Sequence, residues 1–371
     1  MTATVLPATL RYLPLVPRPR PAALPLPQRL TELHDLLHQA EHIPGTEEGI
    51  TRACESMNKA ALIASDIGNP DLAAALCWQQ YETFLPTTPL TAKVAIFALQ
   101  PLVNLARLAI RTGDPSGAYS MLKALFAATD HSEPVQILGR VCVVGALVTS
   151  DEERAELRRF LWAILLADGT RALCAANRWP DVAHHLHRYN GIGARLLDGR
   201  QVAVLAALHR KDPETATQML ARTDCVRLWE HAVAACLVTA TKLVSGQDPT
   251  KAATDMADTI LRLPTESGGS VFTMRLGALA CELAPEHGPL ASHVVSEVVR
   301  VDDAHAVSTV LATPVIESRL NAGQRQRLRE RVARAQPDGT EDTSAVEARV
   351  KHTCNQASRL LHSYLRGMET K

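Results

Sequence analysis

A short turn occurs five times in this chain, and it constrains the fold more than any other feature of the sequence. In four copies Asn or Asp precedes a proline, in the third copy a tryptophan does, and an alanine always stands three residues after the proline. The turns contain Pro70, Pro115, Pro180, Pro213 and Pro249, followed by Ala73, Ala118, Ala183, Ala216 and Ala252. Each turn separates two apolar segments with helical spacing, so we interpret each as the corner of a helical hairpin.

The physical properties of these residues explain why they suit a corner. Proline fixes φ near the helical value and lacks an N–H that the first turn of a helix could not satisfy anyway. Asn or Asp just before it can cap the helix through a side-chain oxygen. Alanine adds little bulk, so the two helices of a hairpin can approach closely beside it. The pattern therefore predicts a stack of helical hairpins.

The corners resemble those of the tetratricopeptide (TPR) helical repeats. That family has a small residue in its first helix, which would fall nine residues before each proline, and an alanine in its second helix. At the first position the chain has Ala61, Ala106, Arg171, Val204 and Ala240. The prolines are 45, 65, 33 and 36 residues apart, and the last two spacings lie near the family period of about 34 residues. The resemblance covers residues 45–265 and implies an all-α, TPR-like α-solenoid of antiparallel helix pairs.

Three regions follow from this interpretation. Residues 1–27 contain seven prolines and no acidic residue, which predicts an extended tail. Residues 28–263 carry the repeats, and we expect Asp198 to cap one of their helices. A β-branched run with a central glycine at 133–149 interrupts them, and it predicts a short β-hairpin or an irregular insert. Residues 264–371 are expected to form C-terminal helices that close the solenoid.

Composition limits the partners and the compartment. The chain has 39 basic and 39 acidic residues, so net charge gives no argument for nucleic acid or membrane. The arginine-rich helix expected at 324–335 lacks aromatic residues beside it, which favours a solvated face over nucleic-acid contact. Eight scattered cysteines without a Cys-x-x-Cys motif indicate reduced thiols. Since the N-terminal prolines would break a signal peptide, and no long uninterrupted apolar run exists, we expect a cytoplasmic protein.

Residues that could carry chemistry are few. The sequence has no phosphate-binding loop, nucleophile elbow, His-Glu-x-x-His or dinucleotide motif. Histidines cluster at His34, His38 and His42 and again at His184, His185 and His187. Cys174 precedes the second cluster, and a Cys/His pair can make an activated nucleophile. We interpret the histidines as surface side chains, and we expect no metal, no cofactor and no catalytic residue.

Polar side chains inside otherwise apolar helices are the candidates for binding a partner. In TPR proteins the concave groove is lined by particular positions of each first helix, and amides there can bind the backbone of an extended peptide. The candidates, together with Ser65, are Glu55, Asn58, Gln100, Asn104, Arg107, Asp168, Arg171, Asp198, Arg200 and Gln201. Asn58 and Asn104 differ by one position in register, so we expect at most one to face the groove. The alternative is that these groups satisfy one another or neighbouring helix ends.

Three functions fit these observations. The first is a non-catalytic scaffold that binds a peptide or protein segment in its groove. The second is an accessory subunit or divergent enzyme of a peptide-modifying complex, because residues 166–205 resemble actinobacterial helical proteins, some encoded near enzymes of ribosomally synthesised natural products. The third is a peptide-sensing regulator that lacks its own DNA-binding domain. We favour the scaffold, since no catalytic motif is present.

Overall fold

The computed structural model describes residues 8–18, 22–264, 269–335 and 343–369. Its α-helices are, in chain order, α1 (Leu26–His42), α2 (Glu47–Asp66), α3 (Pro70–Phe84), α4 (Ala92–Arg111), α5 (Pro115–Ala127), α6 (Asp151–Ile164), α7 (Thr170–Ala175), α8 (Trp179–Arg188), α9 (Asp198–His209), α10 (Pro213–Ala221), α11 (Leu228–Ser245), α12 (Thr250–Leu261), α13 (Ser270–Leu283), α14 (Gly288–Val298), α15 (Ala304–Leu311), α16 (Pro314–Glu317), α17 (Ala322–Ala335) and α18 (Thr343–Glu369). A 3-10 helix at Ala8–Tyr12 precedes them, and a π-helical turn at Leu165–Gly169 joins α6 to α7.

The fold is all-α apart from one small hairpin among the described residues. Strand β1 (Val135–Ile137) pairs antiparallel with β2 (Arg140–Cys142), and Val135 lies opposite Cys142. The two residues between the strands, Leu138 and Gly139, both have positive φ, at 48° and 75°. Positive φ at both central residues is typical of the two-residue turns that connect the strands of a β-hairpin. The all-α class and the predicted hairpin near 133–149 are therefore confirmed.

Three of the five corners share one geometry. Asn69, Asp114 and Asp212 have φ of −110°, −112° and −116°, and each is followed by the proline that begins a helix. The side-chain oxygen of each accepts a hydrogen bond from the backbone N–H three residues later, at 2.9, 2.8 and 3.0 Å. The alanines that follow are buried: Ala73, Ala118 and Ala216. Capping by Asx and close packing at alanine are confirmed at these corners.

The third corner has a different register. Asn177, two residues after the end of α7, has φ of 55°. Helix α8 begins at Trp179, one residue before the proline. As a result Val182 takes the buried position, at 0% exposure, and Ala183 is only half-buried. The prediction of an identical alanine corner is wrong at this third position, because tryptophan instead of the proline occupies the first helical position.

The fifth corner is one residue longer than the corners at Asn69, Asp114 and Asp212. The left-handed residue Gly246 ends α11, and α12 begins at Thr250 with Pro249 as its N-cap instead of its first helical residue. Asp248 still accepts a hydrogen bond from the backbone N–H of Thr250 at 3.0 Å. Ala252 is half-buried. The added residue moves the alanine out of the position that the prediction gave it.

The chain forms two compact units, which divide it differently from the three predicted regions. Unit 1 comprises residues 1–25 and 179–335, and unit 2 comprises residues 26–178 and 336–371. The unit boundaries depend on contacts between segments far apart in the chain, and sequence periodicity does not report such contacts. Closure of a solenoid by residues 264–371 stays a prediction.

Unit 2 contains successive hairpins and the C-terminal helix. Helix α3 packs against α2 and α4, and α4 packs also against α2, α5 and α6. Helix α18 packs against α1, α2 and α3, and the phenolic O–H of Tyr364 donates to the backbone carbonyl of Ala40 at 2.7 Å. Its completely buried residues are Val350, Cys354, Ala357 and Leu361. The end of the chain therefore covers the first hairpin of this unit.

One helix of unit 2 has the length and apolar composition of a membrane span, among the residues that the structure describes. This helix is α4, whose packing partners within the unit are α2, α3, α5 and α6. Its Ala95, Leu99 and Leu102 are completely buried. Since these side chains pack inside the unit, α4 is a core helix here.

Unit 1 is built around α13. This helix packs against α11, α12, α14, α15, α16 and the 3-10 helix Ala8–Tyr12, while α9 packs against α10 and α8. Residues 13–18 follow the 3-10 helix without regular secondary structure, and the chain bends at Pro14. Leu10, Leu13 and Leu15 from this segment are part of the hydrophobic core of the unit. The N-terminal segment therefore belongs to the core of unit 1.

Candidate partner-binding site

Three of the predicted binding residues meet at the side chain of Asn104 on α4. Its amide nitrogen donates to the side-chain oxygen of Asn58 on α2 at 2.9 Å. Its oxygen accepts from Gln100 at 3.4 Å and from Arg107 at 3.1 Å. The two amides thus meet between α2 and α4, as the alternative that the polar groups satisfy one another predicts. That at most one of them faces a groove stays a prediction.

The row continues from Arg107 to Asp168, which lies on the π-helical turn. The Arg107 guanidinium contacts one carboxylate oxygen of Asp168 through Nε at 2.9 Å and Nη2 at 2.8 Å. Arg171 lies 3.6 Å from the other oxygen, as the three-residue spacing predicts. The Asp168 side chain is 7% exposed, whereas that of Arg107 is 45% exposed. A buried carboxylate thus orients two guanidinium groups, one of which faces solvent.

A second shared carboxylate lies toward the C-terminal end of the same helices. Arg111 donates to the Ser65 hydroxyl at 2.8 Å and to Asp66 at 2.7 Å. The other oxygen of Asp66 accepts from Arg29 of α1 at 2.6 Å. Sequence reasoning selected Ser65 but missed the other three residues. The four-residue spacing between Arg107 and Arg111, which puts both on one helix face, was the available signal.

These residues form two clusters, whose Arg107 and Arg111 lie one helical turn apart on α4, and we call the two together the polar strip. It consists of Arg29, Asn58, Ser65, Asp66, Gln100, Asn104, Arg107, Arg111, Asp168 and Arg171. Apart from Arg29, its members lie on α2, on α4 and on the π-helical turn with α7, which are the first helices of successive hairpins. Four arginines and two aspartates give the strip a net charge of +2. The strip is therefore polar, basic and connected across helices.

Part of the hydrogen-bonding capacity of the strip is unused within the described part of the chain. The side-chain NH2 of Asn58 and the side-chain carbonyl of Gln100 make no hydrogen bond there, and both residues are half-buried. The Arg111 side chain is 43% exposed. One free donor and one free acceptor beside exposed guanidinium groups can bind a main-chain amide and an anion.

Glu55 does not belong to the strip. It is exposed on α2 and accepts a hydrogen bond from Arg52 at 2.9 Å, one helical turn away on the same helix. Such an exposed pair contributes little to stability. The structure therefore places Glu55 on an ordinary solvated face, away from the other candidates on this helix.

Arg200 belongs to unit 1, where it holds the backbone. Its guanidinium donates to the carbonyls of Gly193 at 2.7 Å, Met219 at 3.1 Å and Arg222 at 2.8 Å. It also donates to the Thr223 hydroxyl at 2.7 Å. Two of these carbonyls lie at the end of α10, where the helix leaves them without intrahelical partners. Arg200 therefore fits the alternative interpretation, in which the polar residues satisfy helix ends.

Asp198 and Gln201 also belong to unit 1, and they bind the N-terminal segment. Asp198 accepts from Arg18 at 2.5 Å, and the completely buried Gln201 exchanges hydrogen bonds with the backbone of Leu15. The predicted capping by Asp198 is wrong, because Leu197 is the N-cap of α9 and makes no side-chain cap bond. Both residues therefore contact residues 15–18 of their own chain.

Cys174 has the wrong protonation behaviour for a nucleophile. It is half-buried, and burial raises the pKa of its thiol to about 12. At neutral pH the thiol therefore stays protonated, whereas a catalytic cysteine needs a lowered pKa. All eight cysteines are free thiols, and burial also raises the pKa of Cys77 and Cys354 to about 12.

The other candidate clusters have ordinary structural contacts. His184 and His187 are exposed, but His185 is buried against Tyr189 with ring centroids 5.0 Å apart, so the prediction of a surface side chain is wrong for His185. The rings of His38 and His42 lie 4.2 Å apart, and His42 Nδ1 is 2.7 Å from the backbone carbonyl of His38. Over residues 8–18, 22–264, 269–335 and 343–369, no group of three or more His, Cys, Asp or Glu side chains is placed to hold a metal. On α17, Arg325 and Arg329 lie 2.5 and 3.5 Å from Glu317, so part of this basic face is neutralised.

Comparison with protein-family models, with curated proteins and with solved structures found no match to this chain. The resemblance to TPR repeats and to actinobacterial helical proteins thus stays a prediction from the corner residues and from residues 166–205.

Proposed function

We propose that this protein is a non-catalytic scaffold that binds an extended peptide or protein segment along the polar strip of unit 2. The supporting observation is the continuous row from Asn58 through Asn104 and Arg107 to Asp168, which crosses three helical segments of successive hairpins. In this proposal the hairpins stack as a TPR-like solenoid, with the strip on its inner face. The free thiols are consistent with a cytoplasmic location, which we include in the proposal.

The dimensions of the strip suit an extended ligand. Packed helices lie about 10 Å apart, so a strip that crosses three of them spans about 20 Å. An extended chain advances about 3.3 Å per residue, which gives a bound segment of about six residues. The half-buried amides of Asn58 and Gln100 would bind its main chain, since their unused donor and acceptor match a peptide group.

The charge of the strip suits an acidic ligand. Asp66 and Asp168 each hold two guanidinium groups, so each cluster keeps one positive charge in excess. Guanidinium groups bind carboxylates through paired, charge-assisted hydrogen bonds. Because Arg107 and Arg111 are nearly half exposed, acidic side chains of a partner can reach them. We therefore propose a partner segment with acidic residues.

The test uses a strip variant that avoids a trivial loss of stability. Removing Arg107 alone would leave the buried Asp168 carboxylate with a single distant arginine, which is destabilising. The strip variant is therefore Asn58→Ala with Arg107→Ala and Asp168→Asn, which removes one charge of each sign. The matched control is Glu82→Gln with Arg140→Ala, because this pair lies 2.8 Å apart, is about half exposed and lies outside the strip.

Linear peptides are selected on the wild-type protein from a displayed random library, and their affinities are measured by titration calorimetry. We expect the selected peptides to be rich in Asp and Glu and to bind the strip variant at least tenfold more weakly, about 1.4 kcal/mol. The control should bind as the wild type does. Equal affinity for the wild type and the strip variant would show that the strip is not the binding surface.

A further inference from the structure

The N-terminal segment of unit 1 contacts the rest of the unit through two alternate leucines. After the 3-10 helix Ala8–Tyr12, residues 13–18 have no regular secondary structure, and the chain bends at Pro14. Leu13 and Leu15 are 7% and 3% exposed, on either side of Pro14. Both leucines belong to the hydrophobic core of unit 1. They therefore anchor the segment in that core.

Gln201 recognises the backbone of this segment. Its side-chain oxygen accepts from the N–H of Leu15 at 2.7 Å, and its side-chain nitrogen donates to the Leu15 carbonyl at 2.9 Å. The same nitrogen donates to the carbonyl of Leu196 at 3.0 Å, which fixes the orientation of the amide. Gln201 is completely buried. The amide thus pairs with the N–H and the carbonyl of Leu15, and these two hydrogen bonds do not depend on which side chain residue 15 carries.

Charged pairs flank the leucine anchor. Arg18 contacts Asp198 at 2.5 Å, and Arg11 contacts Glu282 at 2.9 Å. The two acidic side chains are 14% and 10% exposed, whereas those of the two arginines are 38% and 45% exposed. The carboxylates therefore belong to the surface of α9 and α13, and the arginines reach them from the segment. Asp198, Gln201 and Glu282 form the receptor surface for the segment, and the two carboxylates favour basic residues opposite them.

We infer that unit 1 carries a second peptide site, independent of the polar strip of unit 2, which the N-terminal segment of the chain itself occupies. The site takes a protein segment with the pattern Leu-x-Leu followed three residues later by a basic residue. Gln201 binds the backbone of the second leucine, and Asp198 binds the basic side chain. A segment of a partner protein with this chemistry competes with residues 8–18 for the site.

Covalent attachment gives the resident segment an advantage over a free peptide. A short connection holds a tethered segment at an effective concentration of the order of millimolar. A free peptide of the same sequence therefore binds poorly until the resident segment is displaced. This difference makes the inference measurable in the full-length chain.

The probe is a fluorescein-labelled peptide with the sequence of residues 8–18, and its binding to the full-length protein is followed by fluorescence anisotropy. The arm variant, Leu13→Asp with Leu15→Asp, weakens the resident segment and leaves the receptor surface unchanged. The site variant adds Gln201→Met, which keeps the size of the side chain and removes its hydrogen bonds to Leu15. A peptide with Leu15→Asp is the control ligand.

We expect the arm variant to bind the probe at least tenfold more tightly than the wild type. The site variant should lose at least tenfold of that affinity, and the control peptide should not bind. The inference is overturned if the arm variant, with a wild-type circular dichroism spectrum, binds the probe no better than the wild type. It is also overturned if Gln201→Met leaves the affinity unchanged.

A second experiment keeps the wild-type contacts, in case the arm variant does not fold. A protease site replaces residues 19–21 of the full-length chain, and cleavage leaves the N-terminal segment held by noncovalent contacts alone. We expect the cleaved protein to exchange this segment for the labelled probe and not for the control peptide. Failure to take up the probe, or equal uptake of both peptides, would contradict a peptide site in unit 1.

Discussion

The same kinds of side chain have different roles in the two units. In unit 2, Asn58, Asn104 and Arg107 contact one another across successive helices and remain partly exposed. In unit 1, Arg200 and Gln201 make seven hydrogen bonds, six of them to backbone carbonyl or amide groups. An amide or arginine within an apolar helix therefore does not by itself identify a binding surface. The two cases differ in whether backbone groups from other parts of the chain form hydrogen bonds with the side chain.

The two ends of the chain also cover the units by different means. Helix α18 covers the first hairpin of unit 2 with a row of completely buried apolar residues. The N-terminal segment covers part of unit 1 with leucines, one amide and two ion pairs. The helix is thus held by apolar packing, whereas the segment depends also on polar contacts that a competitor can replace. The following predictions test this difference.

Apolar packing of α18 predicts the largest effect. Leu361 is completely buried, and Leu361→Ala should lower the free energy of unfolding of unit 2 by about 3 kcal/mol, through lost burial and the cavity that remains. Urea denaturation followed by circular dichroism measures the change. The control is Ser363→Ala on the exposed side of the same helix, which should stay within about 0.5 kcal/mol of the wild type. A loss below about 1 kcal/mol for Leu361→Ala would contradict the packing role.

Glu230 of unit 1 predicts the next effect, because it is a completely buried carboxylate. It accepts from the backbone N–H of Val226 at 2.6 Å and of Arg227 at 2.7 Å, and from Arg195 at 2.7 Å. Glu230→Gln replaces the acceptor oxygens in part, and it should cost about 2 kcal/mol at neutral pH. Glu214→Gln, an exposed carboxylate on α10, is the control and should have little effect.

The pH dependence of that variant gives a sharper test. Burial raises the pKa of Glu230, but the N–H groups of Arg227 and Val226 and the Arg195 guanidinium outweigh it, so the pKa lies below its ordinary value of 4.5. The stabilisation is therefore fully present above pH 4.5 and is lost as the pH falls below it. The difference between wild type and Glu230→Gln should narrow in that range. A constant difference from pH 7 to pH 3 would contradict this assignment.

The Asn58–Asn104 hydrogen bond of unit 2 predicts a smaller coupling. A double-mutant cycle with Asn58→Ala, Asn104→Ala and both together should give a coupling free energy of about 0.5 to 1 kcal/mol. Equilibrium unfolding in urea supplies the four values. Strict additivity would mean that the two amides do not interact in solution, and the strip would then be interrupted between α2 and α4.

His209 of unit 1 predicts the smallest effect. Its ring stacks on Trp179 at 3.8 Å, and burial lowers its pKa below 6.5. The folded protein thus favours the neutral ring, and stability should fall slightly as the pH drops below 6.5. His209→Gln should remove this slope from melting midpoints measured between pH 7.5 and 5.5. An unchanged slope would assign it to another group.

The separation along the chain between contacting residues explains which features the sequence could predict. The corners at Asn69, Asp114 and Asp212 depend on bonds spanning three residues, and the Asp168–Arg171 pair also spans three, so local spacing was sufficient. By contrast, the Gln201 side chain hydrogen-bonds to the backbone of Leu15, which lies 186 residues earlier in the chain. Helix α18 likewise packs on helices at the start of unit 2. Local periodicity carries no information on such pairings. The binding residues were therefore predicted by type, but their division between the two units was not.

The comparison between the units is tested most directly by urea denaturation of two full-length variants side by side. One is the strip variant, Asn58→Ala with Arg107→Ala and Asp168→Asn, and the other is Arg200→Ala with Gln201→Ala. We predict a loss of no more than about 1 kcal/mol for the first and at least about 3 kcal/mol for the second, because only the second leaves the buried N–H and carbonyl of Leu15 unpaired. Equal losses, or a larger loss for the strip variant, would mean that the polar strip holds the fold together and is not reserved for a partner.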